Sequence, residues 1–188
     1  MRKDSGLNIY SICMLGVLVA VNVILARYLA IDVGFARFTL GSIAPIMAGL
    51  WFGPVAGGLT GGLADLLGCF LQGYAPNPII LVASVLWGVI PALIVHASDG
   101  RRRKAVMICV SVVVCALVCT VCLTTAGLVL ILGYSLPAIL PTRLLQVTVM
   151  IPAYSVIANL LYFSPVTKVV RHYEYTAAGR AGRTSGAA

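Results

Sequence analysis

Residues 101–132 read RRRKAVMICVSVVVCALVCTVCLTTAGLVLIL. Four cations in a row, Arg101 to Lys104, open a stretch that carries no further charge from Ala105 to Leu132. About 20 apolar residues at ~1.5 Å each suffice to cross a bilayer as a helix, so this stretch spans with length to spare. Five more apolar stretches surround it, at Leu7–Ile31, Phe38–Phe52, Val55–Leu71, Ile79–His96 and Arg143–Phe163. The chain of 188 residues is 61% hydrophobic and 10% charged, with mean hydropathy +1.04. No water-soluble domain of that size hides so much apolar surface. The expected fold is therefore all-α, an integral membrane bundle of six transmembrane helices. Residues 1–165 are read as that bundle and residues 166–188 as a basic, partly disordered tail. The first apolar stretch is too long for a signal-peptide core and is read as a retained span.

The basic residues orient the bundle. Arg2, Lys3, Arg101, Arg102, Arg103, Lys104, Lys168, Arg171, Arg180 and Arg183 fall on one side, and only Arg27, Arg37 and Arg143 on the other. The positive-inside rule makes the first side cytoplasmic, with both termini there. The +8 net charge thus faces anionic lipid rather than nucleic acid, for which no aromatic-basic surface is present.

Punctuation is clearest at Gly53-Pro54, where a tight turn joins the second and third stretches, and at Gly73-Tyr74-Ala75-Pro76-Asn77-Pro78. Gly49, Gly53, Gly57 and Gly61 recur every fourth residue, with Gly58 and Gly62 alongside. Small residues at this spacing let helix backbones approach closely in lipid, and packing within the hairpin is the expected use. In the first span Gly16 and Ala20 have the same spacing, which serves either packing or docking of a partner. The six cysteines lie in apolar segments; even the Cys119–Cys122 pair has no His, Asp or Glu beside it, so they are read as packing residues.

Charged and polar groups at membrane depth are costly and mark function or pair with each other. Asp65, about 15 Å into the third span, is either a substrate or proton site or an internal lock to a backbone donor or an arginine. Arg143 with Gln146 one turn deeper, Arg37 between aromatic Phe35 and Phe38, and Arg27 are either snorkelling side chains or a cluster for carboxylate or phosphate. Tyr74 sits in an outer loop, while Trp87 and Tyr154 lie within spans. Arginines beside aromatic rings suit a flat, conjugated, anionic ligand. No GxxxxGK[ST] loop, HExxH motif or Ser-His-Asp arrangement is present, so ATP binding of the Walker type and catalysis find no support, and no cofactor or metal is expected.

Several stretches together resemble a known family. They are Ala26-Arg27-Tyr28-Leu29, Arg37-Phe38-Thr39-Leu40-Gly41, Gly53-Pro54-Val55-Ala56-Gly57 running on to Ala64-Asp65-Leu66-Leu67-Gly68, and Leu140-Pro141-Thr142-Arg143-Leu144-Leu145-Gln146 with Ile151-Pro152. The chain resembles the substrate-binding (S) subunits of energy-coupling factor (ECF) vitamin transporters, and among them the folate-specific type. That resemblance implies a multi-pass plasma-membrane subunit that captures folate from outside without hydrolysing ATP. A separate coupling transmembrane subunit and a pair of cytoplasmic ATPases would supply the energy. It further implies docking of the coupling subunit at Gly16 and Ala20. The substrate-binding candidates are Arg27, Arg37, Phe38, Asp65, Tyr74, Trp87, Arg143, Gln146 and Tyr154. Another vitamin or precursor, a membrane scaffold without a soluble ligand, and an intramembrane enzyme using Asp65 are the alternatives.

Overall fold

The computed structural model describes residues 9–33, 36–73, 75–97, 100–132 and 136–170, without the side chains of 31–37, 101 and 131–139. Its bundle is built mainly from the helices α1 (Ile9–Val23), α2 (Ile43–Phe52), α3 (Pro54–Leu71), α4 (Pro78–His96), α5 (Arg101–Cys115), α6 (Thr125–Leu132) and α7 (Leu136–Phe163). Two wide, π-helical stretches extend them: Ile24–Tyr28 continues α1, and Ala116–Thr124 joins α5 to α6. Among the described residues, five resulting helices are long and apolar enough to cross a membrane: Ile9–Tyr28, Pro54–Leu71, Pro78–His96, Arg102–Leu130 and Leu140–Phe163. The apolar α2 is shorter. Its residues from Ile43 to Trp51 are all buried, so protein rather than lipid surrounds it, and its length need not match the bilayer.

Where the sequence reading placed an irregular loop after the first span, the backbone forms a small antiparallel hairpin, β1 (Ile31–Val33) with β2 (Ala36–Phe38), pairing Asp32 with Arg37. The second apolar stretch accordingly becomes helical only at Ile43, and the last helix begins earlier than expected, at Leu136. Pro141 and Pro152 both lie inside α7.

Close backbone packing of α2, α3 and α4 organises the bundle. Gly53, at φ +96°, turns the chain between α2 and α3, and Pro54 starts α3 where no amide partner is needed. A side chain on Gly49 would run into the Gly88 carbonyl, and one on Gly88 into the Gly57 backbone. Gly61 stands equally close to the Ser84 carbonyl. The glycine ladder is therefore used within the bundle, and Gly88 joins it from a third helix, α4. In lipid, where apolar burial gives no advantage over the acyl chains, such close contact is what holds helices together.

Val19 and Val23 of α1 pack on Ala64 of α3. On α7, Val147, Met150, Tyr154, Ala158 and Tyr162 line up along one buried face. A further helical stretch at 165–170 folds back onto the bundle: Trp51 Nε1 donates to Thr167 Oγ1 at 3.0 Å, and Val170 is buried. The bundle–tail boundary read at 165 thus falls next to packed structure, and residues 171–188 lie outside the described residues. The wide stretch Ala116–Thr124 matches local hydroxyl chemistry, since Thr124 and Thr125 donate to the carbonyls five residues back, Cys119 and Thr120. Cys119 is in the core and Cys122 is exposed, so the thiols of that pair lie on different faces.

Candidate substrate cleft

A cleft of about 100 Å³ lies at the end of the bundle remote from Arg101–Lys104, between α1, the loop after β2, α2, α3 and α4. Arg27, Asp65 and Trp87 line it, together with Asn22, Thr39 and Ser42. The π-helical turn carries Arg27 toward α3. There Nη2 meets Asp65 Oδ1 at 3.4 Å, Nη1 donates to Gln72 Oε1 at 3.0 Å, and Nη2 reaches Cys69 Sγ at 3.7 Å. The guanidinium lies over Gly68, where a Cβ would be 2.8 Å from Nη2. Asp65, Gly68, Cys69 and Gln72 share one face by the i, i+3, i+4, i+7 rule, which makes this edge a cradle for one arginine.

The pair is mostly withdrawn from solvent, with side-chain exposures of 16% and 13% for Arg27 and Asp65. Of the readings open for Asp65, the structure supplies the lock to an arginine through Oδ1. Its Oδ2 is buried without a hydrogen-bond partner, and so keeps acceptor capacity on a residue that lines the cleft.

The loop after β2 closes the cleft from the side. Thr39 Oγ1 donates to the Leu25 carbonyl at 3.2 Å and accepts from Gly41 N at 3.1 Å. Tyr154 O–H of α7 donates to the Thr39 carbonyl. Gly41 fits against α1, since a Cβ there would stand 2.6 Å from Ala26 Cβ. Trp87 and Tyr154 meet edge to face, with ring centres 5.5 Å apart. One aromatic pair therefore connects the cleft wall to the loop, in a geometry favoured by the ring quadrupoles.

Arg27, Asp65 and Trp87 are gathered at this cleft, and Tyr154 joins them through Trp87 and Thr39. Arg143 is half-buried and donates to Gln146 Oε1 at 2.8 Å on the same helix. It lies on the face that continues through Val147, Met150 and Tyr154, about 16 Å along the axis from Tyr154, and does not line the cleft. Phe38 packs against the core at the end of β2. Arg37 has a described backbone but its side chain, like all of Tyr74, lies outside the described residues. Residues not anticipated from the sequence are Asn22, Thr39, Ser42 and Gln72. Asn22 had a legible signal, a buried amide in an apolar span, and Gln72 stands at the i+7 position from Asp65.

Gly16 and Ala20 lie on an exposed face of α1, and nothing is within 4 Å of a Cβ placed on Gly16.

Several apolar crossings around a polar cleft define a multi-pass membrane protein of the solute-binding kind. Residues 11–177 match the family described as ECF transporter, substrate-specific component, and the chain belongs to that family. It is similar to the folate transporter FolT of Clostridium novyi (strain NT), with 23% identity over 145 residues, covering 74% of this chain and 80% of that relative. It also shares its fold with a crystal structure of FolT bound with folic acid, at TM-score 0.68 and 24% identity over 80% of this chain and 91% of that one.

Proposed function

We propose that this chain captures folate, or a closely related flat anionic vitamin, from outside the plasma membrane and releases it inward when coupled to a separate transmembrane subunit driven by two cytoplasmic ATPases. The observation that carries the reading is Asp65 Oδ2, a buried acceptor without a partner on a residue that lines the cleft beside Trp87. A pterin ring carries an amino donor for such an oxygen and a flat face for the indole. Folate's two tail carboxylates call for guanidinium partners, and Arg143 and Arg37 are assigned to them. Arg27 is assigned to holding Asp65 in place rather than to the tail, since it already meets Asp65, Cys69 and Gln72. Phe38, Tyr74, Gln146 and Tyr154 complete the assigned set. The similarity to FolT proteins supports folate over other vitamins.

At about 100 Å³ the cleft is smaller than the ~300–1,000 Å³ of sites for ligands of this size. Binding therefore requires the cleft to widen. The six-crossing topology counts α2 as the second crossing, with both termini on the basic, cytoplasmic side.

Tryptophan fluorescence provides the test, because Trp87 lies at the cleft and Trp51 at the opposite end of the bundle. Folate is expected to quench the emission of Trp51→Phe protein, and thiamine or riboflavin to leave it unchanged. With a charge-assisted hydrogen bond contributing about 1.5–3 kcal/mol, Arg143→Ala should weaken folate binding ~10- to 150-fold. Unchanged affinity would remove Arg143 from the site; quenching by riboflavin but not folate would overturn the ligand class.

The open α1 face is assigned to the coupling subunit. A Cβ at Gly16 would have nothing within 4 Å, so Gly16→Leu should leave folate quenching as in the unmodified protein. Co-purification with the coupling subunit should fall at least about tenfold, as a lost close helix contact predicts. Undiminished co-purification would place the contact elsewhere.

A further inference from the structure

The opposite end of the bundle holds a second pair of cavities. One, of about 420 Å³, lies between the start of α5 and the end of α7 and is walled by Lys104, Lys168, Ser164 and Thr167. Lys104 is half-buried and Lys168 exposed. Neither has a carboxylate partner among the described residues, where the ion pair is Arg27–Asp65.

The other, a groove of about 770 Å³, shares Phe163 and Ser164 with the first. It runs along α7 past Leu160 and Val156 and against Cys109 of α5. From Ser164 to Ser155 it covers about 13 Å along the helix axis. Its rim is open, with Val156 58% and Leu160 68% exposed. In the groove wall Asn159 donates to Ser155 O at 2.9 Å and Cys109 Sγ at 3.4 Å, while its Oδ1 is buried without a partner.

The geometry points to an anionic phospholipid held across both cavities, its phosphate between Lys104 and Lys168 and an acyl chain lying in the groove. The order of surfaces matches that molecule: a basic, hydroxyl-bearing compartment at the charged end of the bundle adjoins, across Phe163 and Ser164, an apolar groove that runs along α7. A soluble anion would use the first compartment and leave the second without a role. A partner helix would fill the groove without needing the lysines. Basic pockets between transmembrane helices are recognised sites for acidic headgroups, which two lysines favour over zwitterionic ones by about tenfold or more. A lipid seated here bridges α5 and α7 beside the 165–170 stretch, which Trp51 and Thr167 tie to α2.

Native mass spectrometry of the full chain in neutral detergent, titrated with phosphatidylglycerol and phosphatidylcholine, tests this. The expected result is a one-to-one phosphatidylglycerol adduct that forms at about one-tenth the concentration needed for phosphatidylcholine. The double substitution Lys104→Gln and Lys168→Gln should abolish that preference, and Leu160→Trp, which fills the groove, should remove the adduct. Arg102→Gln with Arg103→Gln, charges that do not line the cavity, should leave it. Unfolding midpoints of the variants, compared alongside, separate lost binding from lost folding. Equal affinity for the two lipids, or equal loss in the Arg102/Arg103 variant, would overturn the proposal by showing diffuse attraction. Displacement of the lipid by an equal concentration of glycerol 3-phosphate would overturn it in favour of a soluble-anion site.

Discussion

Gly88→Val is expected to prevent stable folding or to lower the unfolding midpoint in detergent further than any other single substitution at the glycines of this bundle. The added side chain would overlap the Gly57 backbone of α3, and backbone cannot rotate away as a side chain can. Around it, a Cβ on Gly49 would stand 2.2 Å from the Gly88 carbonyl oxygen, and one on Gly57 would stand 2.6 Å from that oxygen and 2.7 Å from Gly49 Cα. Relief would therefore require two helices to separate. Overpacking commonly costs about 1–3 kcal/mol, and at this three-helix contact the expected cost lies at or above the top of that range. For a chain of this length each kcal/mol moves the midpoint by about 2–4 °C. The contrast is Gly58→Ala, whose Cβ would meet Val89 and Val85 methyl groups at 3.0 and 3.2 Å and the Val85 carbonyl oxygen at an ordinary 3.8 Å. Those side chains can yield, and a change of less than about 1 kcal/mol is expected. Scanning calorimetry of both variants checks the pair; equal midpoints would show that α3 and α4 are not in backbone contact at Gly88.

Asp65→Ala is the second substitution with a large expected effect, because it breaks a mostly buried ion pair from one side. Arg27 would be left against Gly68 and Cys69, with Gln72 as the oxygen partner of its guanidinium. Removing one member of a buried pair commonly costs about 3–5 kcal/mol. The 3.4 Å separation and residual exposure of both side chains put this one near the lower figure, an expected drop of about 6–12 °C. Folate binding should be lost as well, since the free oxygen of the same carboxylate is assigned to the ligand. The two roles separate in a double-mutant cycle. Arg27→Gln combined with Asp65→Asn removes both charges and should recover part of the stability lost by Asp65→Ala, while leaving folate affinity low. Recovery of both would mean that Asp65 serves the fold alone. Recovery of neither would mean that the pair's contribution is not electrostatic.

How far the fold was legible depended on what each feature responds to. The turn at Gly53-Pro54 and the close helix packing around Gly57 and Gly61 could be read because they use residue types with few other roles. Gly88 carried no such signal: it lies on another helix, and its place in the ladder exists only once α4 is laid across α2 and α3. The hairpin at 31–38 was missed since it is too short to show alternation, and the late start of α2 follows from it. Neither π-helical stretch was foreseen. In one, a hydroxyl from Thr39, distant in sequence, reaches the Leu25 carbonyl; in the other, threonines bond back to carbonyls that an ordinary helical turn would place differently.

The candidate site divides in the same way. Arg27 and Asp65 each stood out as charges in apolar surroundings, yet a separation of 38 residues gave no means to pair them. Arg143 and Gln146 were legible as neighbours, being one helical turn apart. Trp87 and Tyr154 were legible as rings within spans but not as partners.

By itself, the sequence determined that this protein lives in a membrane, which end of it is basic, and where the chain must turn. Those properties depend on solvation of segments by lipid and water, and composition along the chain sets them. Only the tertiary structure decided which charge neutralises which, that the second helix is enclosed by its neighbours, and that a polar cleft and a basic cavity form at opposite ends. Those depend on distances of a few ångströms between residues far apart in the chain, and only the packing of helices sets them.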